Sequence, residues 1–144
     1  MSIEERQQEI IHEFGMFTDW MQKYEYIIEL GKDLPLIQDS LKTEDNLIKG
    51  CQSRVWLHAE VDASNKVHFT ADSDAIITKG LVALVVRVLS DSTPNEIAHS
   101  QLHFVNDIGL QEHLSPTRSN GLASMIKQMK MYGIAYEMKQ DKSN

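Results

Sequence analysis

The sequence predicts an α+β fold, a small antiparallel sheet with helices packed against it. Three observations carry that reading. Between Val55 and Ala71, two alternating apolar segments flank a short run of turn residues. From Ile76 to Leu89 the chain is apolar on most sides, as a central buried helix must be. Helical spacing of apolar residues occupies both ends of the chain. The 144 residues suit one domain, read over 1–144. A chain of this size buries roughly 68–70% of its unfolded surface, so it needs neither metal nor disulfide to hold together.

Ile3, Ile10, Ile11 and Phe14 recur at helical spacing, and Gly15 interrupts them. Thr18 is expected to cap a second helix, with Asp19 in its first turn where a carboxylate is favoured. Trp20, Met21, Tyr24, Ile27 and Ile28 form its apolar side, and Gly31 and Pro35 mark its end. Leu36 to Gly50 mixes isolated apolar residues with Asp39, Lys42, Glu44 and Asp45, the pattern of an irregular surface connection. Val55, Leu57, Ala59 and Val61 then alternate with polar neighbours and Trp56, the period of a strand. Ala63-Ser64-Asn65-Lys66 supplies the turn, and Val67 to Ala71 returns antiparallel.

Asp72-Ser73-Asp74 closes the hairpin, and a carboxylate there is expected to cap the helix beginning near Ala75. Gly80 inside that helix permits a close backbone approach. Thr93-Pro94 and Ser115-Pro116 each read as a helix start with proline in first position. Leu122, Met125, Ile126, Met129, Tyr132 and Tyr136 trace one face of a long C-terminal helix.

Composition excludes some functions. The net charge of −7 argues against non-specific nucleic-acid binding and against an anionic membrane surface. It permits a basic partner surface. Met1 to Glu5 has neither the basic start nor the apolar core of a secretory signal. The apolar run Ala75–Leu89 carries Lys79 and Arg87 and is shorter than the ~20 residues of a spanning helix. A cytoplasmic protein is expected, and one free thiol suits a reducing compartment.

The one cysteine, Cys51, lies in Gly50-Cys51-Gln52-Ser53-Arg54, just ahead of the first strand. That context reads as a loop tip rather than an apolar stripe. A lone thiol makes no internal disulfide but can act as a nucleophile or carry one sulfur atom. Lys49 and Arg54 can favour the thiolate by charge, though the residues alone leave a reactive and an inert thiol both open. His99 and His103 are four apart, yet no third ligand stands beside them, so they read as surface or capping residues. His58 and His68 fall on the two strands as candidate cross-strand neighbours. Met125 and Met129 match the apolar stripe and read as core. Ser115 to Gly121 is either an anion-holding helix start with Arg118 or a capped start with Arg118 on the surface.

Four blocks in order resemble the SufE/CsdE family of sulfur-acceptor proteins. They are Tyr24 to Pro35, Gly50 to Trp56, Asp72 to Leu81, and Leu114 to Leu122. Gly50-Cys51-Gln52-Ser53 leans toward the SufE branch. The resemblance implies a SufE/IscU-like fold and a persulfide on Cys51. The sulfur would come from a pyridoxal-phosphate-dependent, SufS-like cysteine desulfurase, which this protein would stimulate as a sulfurtransferase-like accessory. A SufBCD-like iron–sulfur scaffold would receive it. The resemblance implies no cofactor and no metal for this chain. It makes Gly50, Gln52, Ser53 and Arg54 candidates for loop positioning and partner contact, with Asp74 and Arg118 carried over from matching motif positions. A single-cysteine redox enzyme and a non-catalytic binding module remain the alternatives.

Overall fold

A computed structural model describes residues 1–143. Asn144, the last residue of the domain read over 1–144, lies outside them. Helix α1 (Ile3–Phe14) opens with a capping box in which Ser2 and Glu5 each accept the other's backbone N–H at 3.0 Å. Its Ile3, Ile10 and Phe14 are buried.

Helix α2 (Trp20–Gly31) begins one residue later than Thr18 would place it. Asp19 is extended and its carboxylate accepts the Gln22 N–H at 2.8 Å, so Asp19 is the cap. Thr18 instead gives its own N–H to the Gln22 side chain at 3.1 Å. Met21 also departs from the expected apolar side and is exposed. At 100° per residue it sits about 120° round the helix from the buried Ile27.

Helix α3 (Ile76–Leu89) is the central helix, with ten of its 14 residues buried. It crosses α2 at a glycine pair. A Cβ on Gly80 would fall 2.1 Å from the Ile27 carbonyl oxygen, and one on Gly31 would fall 3.1 Å from the Gly80 nitrogen. The close approach expected at Gly80 is therefore real.

Strands β1 (Val55–Val61) and β2 (Val67–Ser73) pair antiparallel, from Val55 opposite Ser73 to Val61 opposite Val67. The second strand runs two residues beyond its expected end. Asn65, at φ +63, makes the turn. Val55, Leu57, Ala59, Val67, Phe69 and Ala71 form the buried face of the sheet. Both edges are covered by irregular chain. On β2, Ala71 exchanges hydrogen bonds with Pro35 and Ile37, and Val67 does so with Asp91 and Ser92. On β1, the Ile48 N–H donates to the Val55 carbonyl at 2.8 Å. The connection over 36–50 is irregular, as expected, with single turns of 3-10 helix at Asp39–Leu41 and Glu44–Asn46.

The cap expected at Asp72–Asp74 does not form. Ala75 occupies the N-cap position of α3, and no side chain caps it. Asp72 instead meets Lys42 at 2.8 Å and Lys79 at 3.3 Å. Burial pushes its carboxyl up, but hydrogen bonds from Lys42, the Ser73 N–H and Lys79 outweigh that and hold it below the usual range. Asp74 turns the other way, toward the cysteine loop.

Short helices α4 (Pro94–Ala98), α5 (Phe104–Asp107) and α6 (Leu110–His113) lead to α7 (Pro116–Ser143). Thr93 and Glu96 form the capping box of α4, with Pro94 in first position. Leu122, Met125 and Met129 of α7 are buried, and the Tyr136 hydroxyl donates to the Ala59 carbonyl at 3.0 Å. Arg6 locks α1 to the end of α3. Its guanidinium donates to the carbonyls of Val88, Ser90 and Asp91 and to the Ser92 hydroxyl, at 2.6–3.0 Å. Those carbonyls are the acceptors a helix C-terminus leaves unpaired. Among the described residues, no helix is long and apolar enough to cross a membrane.

Candidate functional site

Cys51 sits at the tip of a loop whose two ends are pinned. The Ile48–Val55 hydrogen bond closes its neck. One step further out, the Asp74 carboxylate accepts the Arg54 N–H at 3.0 Å, and the Asp74 N–H donates to the Arg54 carbonyl at 3.3 Å. Between these ties, residues 49–53 make no backbone–backbone hydrogen bond among the described residues.

The loop tip rests on the first turns of α7. Gly50 has φ +91, a left-handed conformation that glycine adopts without penalty. Its bare Cα lies against Ser124, and a Cβ there would fall 2.6 Å from the Ser124 hydroxyl oxygen. Cys51 is half-buried, and its thiol points at the Gly121 carbonyl at 3.6 Å. Gly121 lies beside the thiol as well. A Cβ on it would stand 3.6 Å from the cysteine sulfur, in ordinary van der Waals contact.

Burial pushes the Cys51 thiol above its ordinary pKa. The charge effect expected from Lys49 and Arg54 does not offset that desolvation, because both side chains are exposed and neither contacts the sulfur. In this loop position desolvation disfavours the thiolate, which is the reactive form of the group.

A cavity of about 350 Å³ opens beside the sulfur. Gln52 and Ser53 of the loop, Thr78 of α3, Ser115 just ahead of α7, and Arg118 and Met125 on α7 help to line it. The structure therefore brings Cys51, Gln52, Ser53 and Arg118 to one cavity, with Gly50, Arg54 and Asp74 forming the loop and its anchor. Ser115 caps the start of α7, accepting the Arg118 N–H at 3.3 Å, while the Arg118 side chain is exposed.

The other sequence candidates lie elsewhere. His58 faces Thr70 across the hairpin and His68 faces Glu60, so the two histidines are not opposite one another. Each meets a carboxylate, Glu60 at 3.1 Å and Asp62 at 2.6 Å. His99 lies 3.5 Å from Glu137, and His103 lies between Glu4 and Asp107. Among the described residues, no group of three or more histidine, cysteine or carboxylate side chains is placed to hold a metal ion. Met129 is core, but Met125 is both core and cavity wall.

Sequence reasoning missed Thr78, Gly121 and Ser124 as parts of the site. The spacing of Gly121 and Ser124 carried a signal. Three apart on a helix, they share a face and leave a shallow saddle in it.

The chain is similar to known proteins in sequence and in fold. A family model described as "SufE: Fe-S metabolism associated domain" matches residues 8–133. An uncharacterised SufE-like protein of Rhizobium meliloti (strain 1021) is 43% identical over 126 residues, which is 85% of this chain and 90% of that protein. A solution structure of a hypothetical protein from Thermus thermophilus superposes with a TM-score of 0.74. It covers 90% of this chain and 94% of its own at 18% identity, a likeness of fold alone.

Proposed function

The chain belongs to the SufE family and so to iron–sulfur metabolism, and from that premise we propose that it is a sulfur acceptor working through Cys51. A cysteine desulfurase, SufS-like and pyridoxal-phosphate-dependent, presents a persulfide. The Cys51 thiolate attacks the outer sulfur. A new S–S bond forms on Cys51, the old one breaks, and the desulfurase leaves as a thiolate that takes up a proton. The Cys51 thiolate supplies the electron pair of the new bond and the departing desulfurase thiolate keeps that of the old one, so the sulfur moves at the zero-valent level and no outside oxidant or reductant is needed. A SufBCD-like scaffold then receives the sulfur. The whole of 1–144 acts as one SufE-like domain in the cytoplasm, and relieving the desulfurase of its persulfide stimulates that enzyme.

The observation that carries this reading is the setting of the thiol. Cys51 lies half-buried beside a cavity with room for one more sulfur atom. The chain has no second cysteine to resolve a sulfenic acid, which disfavours a redox cycle. The raised thiol pKa suits a carrier that rests shielded and is deprotonated on docking. Gln52, Ser53 and Arg54 then position the loop in the partner, with Asp74 and Arg118 beside it.

The test is intact-mass measurement after incubation with a desulfurase and cysteine. Wild type gains one sulfur atom, reversed by dithiothreitol. Cys51→Ser folds normally and gains none. A sulfur adduct on Cys51→Ser, or none on wild type with an active desulfurase, overturns the proposal.

A further inference from the structure

We propose that the face around Cys51 is an electrostatic docking surface, fitted to a protein whose sulfur-donating site is rimmed by carboxylates. Lys49, Arg54, Arg118 and Lys127 would supply the charge, with Ile76 as an apolar anchor. The proposal rests on the sulfur-acceptor reading and adds to it the chemistry of the partner's surface.

The pattern of ion pairing carries it. Over most of the molecule the cations are engaged. Lys32 meets Glu29, Lys42 and Lys79 meet Asp72, Arg87 meets Glu9 and Glu13, and Lys130 donates to the Ser100 carbonyl. The side chains of Lys49, Arg54, Arg118 and Lys127 make no hydrogen bond, ion pair or ring contact among the described residues. All four border the cysteine loop. Lys49 and Arg54 flank it in sequence, and Arg118 lines the cavity with Cys51. Lys49 and Lys127 line the neighbouring depression together with Ser124, on which Gly50 rests. Lys66 is also unpaired, but it stands apart at the hairpin turn, within electrostatic reach of Glu96.

Two carboxylates share this face. Asp45 lines the same depression, and Asp74 is occupied by the Arg54 N–H. The four free cations outnumber these two carboxylates, on a chain whose net charge is −7. Such polarity orients an approaching molecule and speeds productive encounter. Ile76 adds a second kind of contact. It lies two residues beyond Asp74 and is 66% exposed, while Thr78, in the same first turn of α3, lines the Cys51 cavity. A large exposed aliphatic beside a charged rim is the composition of a protein interface, with an apolar centre and a polar border.

The occupant is a protein rather than a polyanion. Nucleic acid or an anionic membrane presents charge over a large area and meets the repulsion of the whole chain. A local carboxylate rim feels chiefly what lies within a Debye length, about 8 Å at physiological salt.

The experiment measures binding to the purified cysteine desulfurase of the same organism at low and high salt, alongside sulfur loading of Cys51. The variants are Lys49→Glu with Lys127→Glu, Ile76→Ser, and Lys66→Glu as a charge-matched control. Thermal melts establish that each is folded. For wild type, raising salt from about 50 to 500 mM is expected to weaken binding at least fivefold, mostly through the on-rate. Lys49→Glu/Lys127→Glu is expected to weaken low-salt binding tenfold or more and to lose the salt dependence. Ile76→Ser should weaken binding severalfold at both salts, and Lys66→Glu should match wild type.

Wild-type loading that proceeds with no salt dependence, and equally well in the charge-reversed variant, overturns the docking surface and leaves the acceptor reading intact. Failure of wild type to load with an active enzyme overturns the acceptor reading itself. Charge-dependent binding to a single-stranded oligonucleotide or to phosphatidylserine vesicles, without binding to the desulfurase, overturns the choice of partner.

Discussion

The Asp74 carboxylate holds the Arg54 backbone N–H at 3.0 Å, tying the outgoing arm of the cysteine loop to the start of the central helix. A carboxylate that sequence reasoning assigns to a helix cap thus acts as a loop latch. The reason is local. Ala75, not Asp74, is the residue at the N-cap position, so the Asp74 side chain is free to reach across to Arg54, just ahead of β1.

Asp74→Ala is expected to loosen that latch. The lost hydrogen bond is partly exposed, so global stability should fall by only about 0.5–1 kcal/mol. The Cys51 alkylation rate should rise severalfold because the loop opens locally. Asp74→Asn keeps an acceptor oxygen and should stay near wild type. Iodoacetamide kinetics on the three proteins, with urea melts alongside, make the comparison. Equal rates in all three would show that the latch does not control the thiol.

The half-buried thiol makes stability depend on pH in a definite direction. Its pKa is raised by folding, while the unfolded thiol ionises near about 8.5. The folded state therefore holds its proton longer than the unfolded state. The contribution is complete below about pH 8.5 and is lost as pH rises through the folded pKa. Wild type should lose melting temperature relative to Cys51→Ser as pH rises above about 8.5, where the unfolded thiol ionises ahead of the folded one. The pH midpoint of alkylation should lie above that of a model thiol. A midpoint at or below the model thiol would mean that Cys51 is not held as the structure places it.

Gly50 and Ser124 should behave as a coupled pair. Gly50→Ala meets a left-handed backbone strain of about 1–2 kcal/mol and a clash with the Ser124 hydroxyl. Ser124→Ala removes the clashing oxygen. The cost of Gly50→Ala should therefore be smaller on the Ser124→Ala background, by about 0.5–1 kcal/mol. Urea unfolding of the four proteins in the cycle reads this directly, and strict additivity would remove Ser124 from the seat of the loop.

Gly80→Ala should be far more damaging than Gly31→Ala. The first places a methyl 2.1 Å from a backbone oxygen that has nowhere to go, and the second makes a contact of 3.1 Å. Overpacking of the first kind costs about 2–3 kcal/mol or more, the second a fraction of that. Chemical denaturation midpoints of the two variants test the order, and similar midpoints would mean that the α2–α3 crossing can relax.

Much of this was legible in the chain. Period-two alternation located the hairpin, and the apolar run from Ile76 located α3, because burial on a sheet face and on all sides of a helix leave different periods. Gly80 signalled the close backbone approach, which the structure shows to be the crossing with α2. What failed was choice among equivalent neighbours. Thr18 and Asp19 can both cap, as can Asp72 and Asp74, and only the tertiary fold decides which carboxylate is claimed elsewhere. Arg6 was opaque for another reason. It reads as one charge on an amphipathic helix, yet its partners at Val88 to Ser92 are more than 80 residues away. The site divided the same way. Cys51 and its neighbours stand out by local context, whereas Gly121 and Ser124 matter only because the chain returns 70 residues later to lie beneath the loop.

The two-stranded sheet has a consequence for how anything can recruit this molecule. Chain at 35–37 and 91–92 pairs with the outer backbone of β2. On β1, Ile48 takes the Val55 carbonyl and Tyr136 takes that of Ala59. A partner that recognises others by adding a strand finds these backbone groups already spent. The same cover that keeps so short a ribbon from zipping onto its own copies directs association to side chains. Partner choice can then be rewritten residue by residue without disturbing the fold.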